Sequence, residues 1–179
     1  MEKKIIILTD SGDTIIDEGT EIREIPDGIV KRAECIPGAR ESMLELYDKG
    51  YTIALVADGL AQSFENVMKQ HGLSHIFASE TISELMGVHK PSALMFEDAM
   101  KKLGLTEEDK KRVVMVGNNI KRDIIGANQF GIKSVLLTWS DRYCMIPEND
   151  LEKPDYEIAT PAELPALIDA LEKEWMTEA

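Results

Sequence analysis

The sequence predicts an α/β chain folded as a doubly wound, three-layer sandwich with a mainly parallel sheet. Short apolar, β-branched runs recur at 4–9, 51–56, 112–116, 133–138 and, more weakly, 156–159. Stretches with helical start and stop signals lie between them, and this alternation implies parallel strands covered by helices on both faces. The length of 179 residues fits one domain, so 1–179 is read as a single unit.

The helices are delimited by proline and glycine. Pro37 starts a helix over 38–49 that Gly50 ends, and the helix over 92–103 follows Pro91 and stops at Gly104. Further helices are expected over 60–71, 120–130 and 161–175, with Gly72 and Gly131 as stops. Between the first strand and the first helix, β-like pieces at 21–25 and 28–33 flank Pro26-Asp27-Gly28. That turn chemistry predicts a small hairpin flap within 15–36 rather than an inserted domain. Pro147, Asn149, Asp150 and Pro154 mark 140–153 as a loop.

Composition narrows the partners. Hydrophobic residues make up 44% and charged residues 30%, with no run near the ~20 apolar residues of a membrane span. The apolar run at 5–8, behind Met1, Glu2, Lys3 and Lys4, is too short for a signal-peptide core, so a cytoplasmic protein is expected. Cys35 and Cys144 are too isolated for a disulfide framework or a zinc site. A net charge of −13 opposes binding to nucleic acid and to anionic membranes. An anionic small substrate would need a bound cation or a focused positive site to offset that field.

Ligands of open α/β sheets gather at the carboxyl ends of the strands. The residues there are Asp10-Ser11-Gly12-Asp13-Thr14 after the first strand and Ala57-Asp58-Gly59 after the second. His89-Lys90-Pro91 precedes a later helix, and Gly117-Asn118-Asn119-Ile120-Lys121-Arg122-Asp123 follows the 112–116 strand. In order and spacing this set resembles the four motifs of the haloacid dehalogenase (HAD) superfamily, over roughly residues 5–171. The resemblance implies a Rossmann-like phosphohydrolase in which Asp10 attacks phosphorus and becomes an aspartyl phosphate. It further implies Mg²⁺ held by Asp10, the Gly12 carbonyl and Asp123, with oxygen ligands and retained waters. Lys90 would neutralise charge on Asp10 and on the phosphoryl group. Thr14 would order the loop after the nucleophile and, with Asp58, Gly59 and Asn119, stand beside the substrate.

Three positions depart from the family pattern. Gly12 stands where an aspartate normally protonates the leaving group and activates water, and Asp13 comes one place later as a candidate replacement. Ala57 replaces a phosphate-binding hydroxyl, and Asn118 replaces an acid but retains a neutral oxygen for metal. Some branches without the general acid carry a cap domain, for which this chain has no room; the flap, or a homodimer, would be the lid. The expected function is therefore a Mg²⁺-dependent phosphatase acting on a small phosphate ester. The alternative is a catalytically weakened binding or regulatory protein on the same fold.

Other residues have plainer readings. His71, His75 and His89 lack metal-ligand spacing, and only His89 lies within reach of a substrate. Met43, Met68, Met95 and Met100 read as core filling. Trp139, Arg142 and Tyr143 follow the 133–138 strand on the side of the expected site, where a structural role competes with contact to substrate or a second subunit.

Overall fold

The computed structural model describes residues 4–178; Met1, Glu2 and Lys3, which precede the apolar run at 5–8, and residue 179 lie outside them. The chain opens on β1 (Ile6–Thr9), whose four residues are all buried because a central parallel strand is covered on both faces. Two short antiparallel strands follow, β2 (Ile22–Arg23) and β3 (Val30–Arg32), and then α1 (Ala39–Asp48). β4 (Thr52–Ala57), α2 (Ala61–Gln70), β5 (Phe77–Ile82), the single turn α3 (Ser83–Met86) and α4 (Ala93–Lys102) build one half of the sheet. The other half comprises β6 (Val113–Gly117), α5 (Ile125–Phe130), β7 (Lys133–Leu137), β8 (Tyr156–Ile158) and α6 (Leu164–Glu178).

The strand order is β5-β4-β1-β6-β7-β8, with every neighbouring pair parallel. The chain therefore winds outward from β1 to β5 and returns to β1's other side for β6. That reversal opens a crevice beyond the carboxyl ends of β1 and β6, where ligands of such sheets bind.

Residue alternation along the strands divides the core. Ile7, Ile53, Leu55, Val114 and Val116 pack with Met43 and Leu46 of α1, Val67 and Met68 of α2, and Ile168 and Leu171 of α6. Ile6, Leu8, Ala54, Val56, Val113 and Met115 face the opposite layer, which holds Met95, Phe96, Ala99 and Met100 of α4 and Ala127 of α5. The doubly wound, three-layer architecture and the core-filling role of the methionines are both as the sequence indicates.

Three features differ from the sequence reading. β5 was not expected: it is an edge strand whose outer half is partly exposed, so Ser79 and Glu80 dilute its apolar signal. The helix expected over 120–130 starts as a wide π turn at Ile120–Ile124 before tightening into α5. A 3-10 turn at Pro161–Glu163 precedes α6, closed by a capping box between Thr160 and Glu163.

The flap is pinned at its base and open at its tip. Val30 N–H donates to Ser63 Oγ (2.9 Å), Asn66 Nδ2 donates to the Val30 carbonyl (2.9 Å), and Ala33 N–H donates to Gln70 Oε1 (3.1 Å), all tying β3 to α2. Ile25 at the turn is 91% exposed.

Layer contact behind the site depends on Gly126. A Cβ there would lie 2.6 Å from Phe96 Cε2 and 3.3 Å from Pro91 Cα, next to Lys90. Gly126→Ala should therefore lower the urea-denaturation stability by about 1–3 kcal/mol, the usual cost of overpacking a filled core. An unchanged denaturation midpoint would show that α4 and α5 are not held at this spacing.

Candidate active site

The crevice is organised by a buried ammonium. Lys90, only 1% exposed at its side chain, reaches across the strand ends. Its Nζ donates to the Val56 carbonyl of β4 (2.7 Å) and to Asp10 Oδ1 after β1 (3.0 Å), and lies 2.7 Å from Asp123 Oδ1 beyond β6. Burial alone disfavours its charge, but Asp10, Asp123 and Asp58 outweigh that and raise its pKa above the ordinary lysine value. The Asp10 carboxyl is pushed up to about 7 because burial removes its hydration; Lys90 opposes this shift and Asp123 adds to it.

Asp123 owes its place to the turn after β6. The Asn119 N–H donates to Asp123 Oδ2 (3.0 Å), and the Asn119 carbonyl accepts from the Asp123 N–H (2.7 Å). Gly117 makes room for it, since a Cβ at that position would stand 2.2 Å from Asp123 Cγ. The Asp123 Oδ1 atom is buried and at ion-pair distance from Lys90, yet no hydrogen bond is aligned on it.

Asp58 holds the Lys90 segment. Its Oδ1 accepts the Lys90 backbone N–H (3.0 Å) and lies 3.7 Å from His89 Nδ1, while its Oδ2 is 3.4 Å from Arg122 Nη1. The Gly59 N–H is engaged by Ser83 Oγ (2.9 Å), and Ala57, fully buried, brings no hydroxyl.

Two cavities meet here. An inner one of about 40 Å³ is lined by Asp10, Gly12, Glu18, Asp58, Lys90, Asn118, Asn119, Arg122, Asp123 and Tyr143. An outer one of about 250 Å³ shares Gly12, Glu18, Asp58, Arg122 and Tyr143 with it. The outer cavity extends under the flap to Arg23 and Val30, with Leu60, Phe64 and Val67 as an apolar wall.

Most of the residues singled out in the sequence thus converge: Asp10, Gly12, Asp58, Lys90, Asn118, Asn119 and Asp123 surround the inner cavity, and Gly59 lines the outer one. Asp13 and Thr14 line neither. Asp13, at φ +47°, is turned into the protein and is 1% exposed. Its Oδ2 accepts from Arg142 Nε (2.5 Å) and Ser140 Oγ (2.9 Å), and its Oδ1 accepts the Glu18 N–H (3.0 Å), the geometry of an anchor for two loops. The Thr14 hydroxyl is buried without a hydrogen-bond partner. Trp139 packs on the main core, whereas Tyr143 reaches both cavities.

Glu18, Arg122 and the spacing role of Gly117 were not singled out in the sequence. Glu18 follows the motif by a distance no periodicity marks, and its carboxyl is raised above the ordinary value by burial and then by the charge of Asp13.

Among the described residues, no group of three or more His, Cys, Asp or Glu side chains is arranged to hold a metal ion. The donors at the crevice are instead two carboxylates, backbone carbonyls and an amide. That set fits Mg²⁺, which takes one or two carboxylates and keeps several waters. The buried Asp123 Oδ1, on which no hydrogen bond is aligned, is the observation that suits it.

A doubly wound α/β protein with a lysine-bridged carboxylate pair at its switch point is the class that fold and site define. The chain belongs to the haloacid dehalogenase-like hydrolase family, whose model matches residues 10–137. It is 33% identical over 138 residues to a glyceraldehyde 3-phosphate phosphatase of Methanopyrus kandleri, covering 77% of this chain and 58% of that protein. A phosphoserine phosphatase of Thermus thermophilus is 29% identical over 128 residues, covering 72% of this chain and 49% of that protein. The chain thus spans about half the length of the curated relatives it matches. Among solved structures, an uncharacterized protein from Listeria monocytogenes superposes with a TM-score of 0.76 at 22% identity, covering 94% of this chain and 99% of that one. The putative HAD-hydrolase YfnB from Bacillus subtilis gives 0.74 at 15% identity, covering 94% and 100%.

The anchoring geometry of Asp13 is open to measurement. Asp13→Ala strips Arg142, Ser140 and the Glu18 N–H of their shared acceptor, and should lower stability by about 1–3 kcal/mol in urea denaturation. A variant as stable as the wild type would show that the loops hold without it.

Proposed function

We propose that this chain is a Mg²⁺-dependent phosphohydrolase that acts on a small phosphate ester through phosphorylation of Asp10. The observation that carries the reading is the Lys90 ammonium held between Asp10 and Asp123 at the wall of a cavity. A carboxylate nucleophile repels a phosphate ester, and a fixed positive charge beside it lowers that barrier without reorganising. The relatives named as phosphatases of glyceraldehyde 3-phosphate and phosphoserine support a small substrate. Among the described residues no helix is long and apolar enough to cross a membrane, and the unpaired Cys35 and Cys144 suit a cytoplasmic setting.

Asp10, Asp123 and the Gly12 carbonyl would hold Mg²⁺, with Asn118 offering a neutral oxygen. When bound, the ion would offset charge on the phosphoryl oxygens. Asp10 attacks phosphorus, and Lys90 stabilises the charge that gathers there. Asp58 keeps Lys90 in place through its backbone N–H, and Asn119 aims Asp123. The rest of the ester lies in the outer cavity against Phe64, Leu60 and Tyr143, with Arg122 at its mouth.

One observation favours the second reading, a binding or regulatory protein. The β4 turn offers neither a hydroxyl at Ala57 nor a free N–H at Gly59 for a phosphate oxygen. Turnover of p-nitrophenyl phosphate and a panel of natural phosphate esters, with and without Mg²⁺, separates the two. The wild type should exceed Asp10→Asn by at least ~100-fold; equal rates would favour the binding protein.

The metal assignment has its own readout. Mg²⁺ should raise the melting temperature of the wild type, because a ligand held only by the folded state stabilises it. The shift should vanish in Asp123→Ala and also in Gly117→Ala, whose new methyl occupies the carboxylate's space. A wild-type shift in both variants would move the ion elsewhere.

A further inference from the structure

Transfer of a phosphoryl group to Asp10 leaves two protons to be handled. The departing alkoxide needs one, and the water that later attacks the aspartyl phosphate must lose one. Asp10 cannot serve, since its oxygen is bonded to phosphorus. Asp123 faces Lys90 and takes the Asn119 N–H, while Asp58 takes the Lys90 N–H. Asp13 is committed to Arg142, Ser140 and the Glu18 N–H. Of the acids lining the inner cavity, Glu18 is left, with Arg142 Nε 3.4 Å from its Oε2 as its ion-pair contact.

Its placement is set by what Gly12 lacks. An ideal Cβ on Gly12 would lie 2.0 Å from Glu18 Oε1, 2.8 Å from Cδ and 3.0 Å from Cγ. The Glu18 carboxyl therefore fills the volume a side chain two residues after Asp10 would take. Gly12 is not among the glycines with positive φ, so its backbone would accept a side chain once the Glu18 carboxyl moved aside. Asp13 fixes the Glu18 N–H, and Asp17 caps the turn at Glu18–Thr20 by accepting from the Gly19 N–H (2.8 Å). The Glu18 side chain, 28% exposed, lines both cavities.

We infer that Glu18, from outside the expected motif, is the general acid and base of the Asp10-centred reaction. An Asp10 oxygen bonds to phosphorus as the ester P–O bond breaks, and the Glu18 carboxyl gives its proton to the departing oxygen. Water then attacks the phosphorus of the aspartyl phosphate and passes a proton to Glu18. The Asp10 oxygen–phosphorus bond breaks, releasing phosphate and restoring both acids. The inference rests on the hydrolase reading above.

The test compares Glu18→Gln with the wild type on p-nitrophenyl phosphate, whose leaving group needs no proton, and on glycerol phosphate, whose alkoxide does. Glu18→Gln should lose at least ~100-fold in kcat/KM on glycerol phosphate, within the range for a lost general acid, and far less on p-nitrophenyl phosphate. With the latter it should release one burst of p-nitrophenolate per site and then slow, because the phosphorylated Asp10 waits for a base. Gly12→Asp in a Glu18→Ala background should recover about tenfold or more of the loss, since the new carboxylate enters the vacated volume. Wild-type turnover of glycerol phosphate by Glu18→Gln overturns the inference, as does an equal loss on both esters without a burst. In either case Asp10→Asn still falls below the wild type, which keeps the hydrolase reading. If the wild type does not exceed Asp10→Asn on either ester, both fall together.

Discussion

A single ammonium group in a nearly water-free position links the ends of the three central strands. Lys90 binds the Val56 carbonyl near the end of β4 and the carboxylates that follow β1 and β6. Taking two acids out of water at this spacing is costly, and an isolated pair would protonate instead. The lysine makes the arrangement tolerable without making it neutral, because one positive charge faces two carboxylates. The surplus negative charge is what suits the crevice to a cation, while burial, more than charge, raises the Asp10 carboxyl.

Everything around this cluster holds one of its members. Asp58 fixes the segment from which Lys90 projects, Asn119 and Gly117 fix Asp123, and Gly126 lets α5 close on Phe96 and Pro91 beneath them. Stability is spent here on placement: buried polar groups are retained where a hydrophobic filling would be cheaper, which is the ordinary signature of a working site.

The flap gives the site its size. Its base is bonded to α2, and its strands border a cavity of about 250 Å³ lined by Arg23, Arg122 and an apolar wall. The connection between β1 and α1 carries only the two short strands of the flap. The anchoring of Asp13 by Arg142 joins the flap side of the crevice to the loop after β7, so that Tyr143 closes the wall opposite α2.

Much was legible in the order of residues. The β-branched runs gave five of the six sheet strands because a parallel strand buried on both faces must be apolar throughout. The motif residues were legible because strand ends in this fold share one edge, so position along the chain fixes which edge a residue joins. β5 escaped because an edge strand is free to carry polar residues, and the π turn escaped because its period is close to that of an α-helix. The sequence alone determined the sheet, its two covered faces and the meeting of Asp10, Lys90 and Asp123. Only the tertiary structure decided which way each acid points. Asp13, nearer in sequence to the missing carboxylate, turns inward to Arg142, which lies 129 residues away. Glu18 instead fills the space beside Gly12, since a side chain's direction follows from backbone torsions and from charges brought in by distant segments.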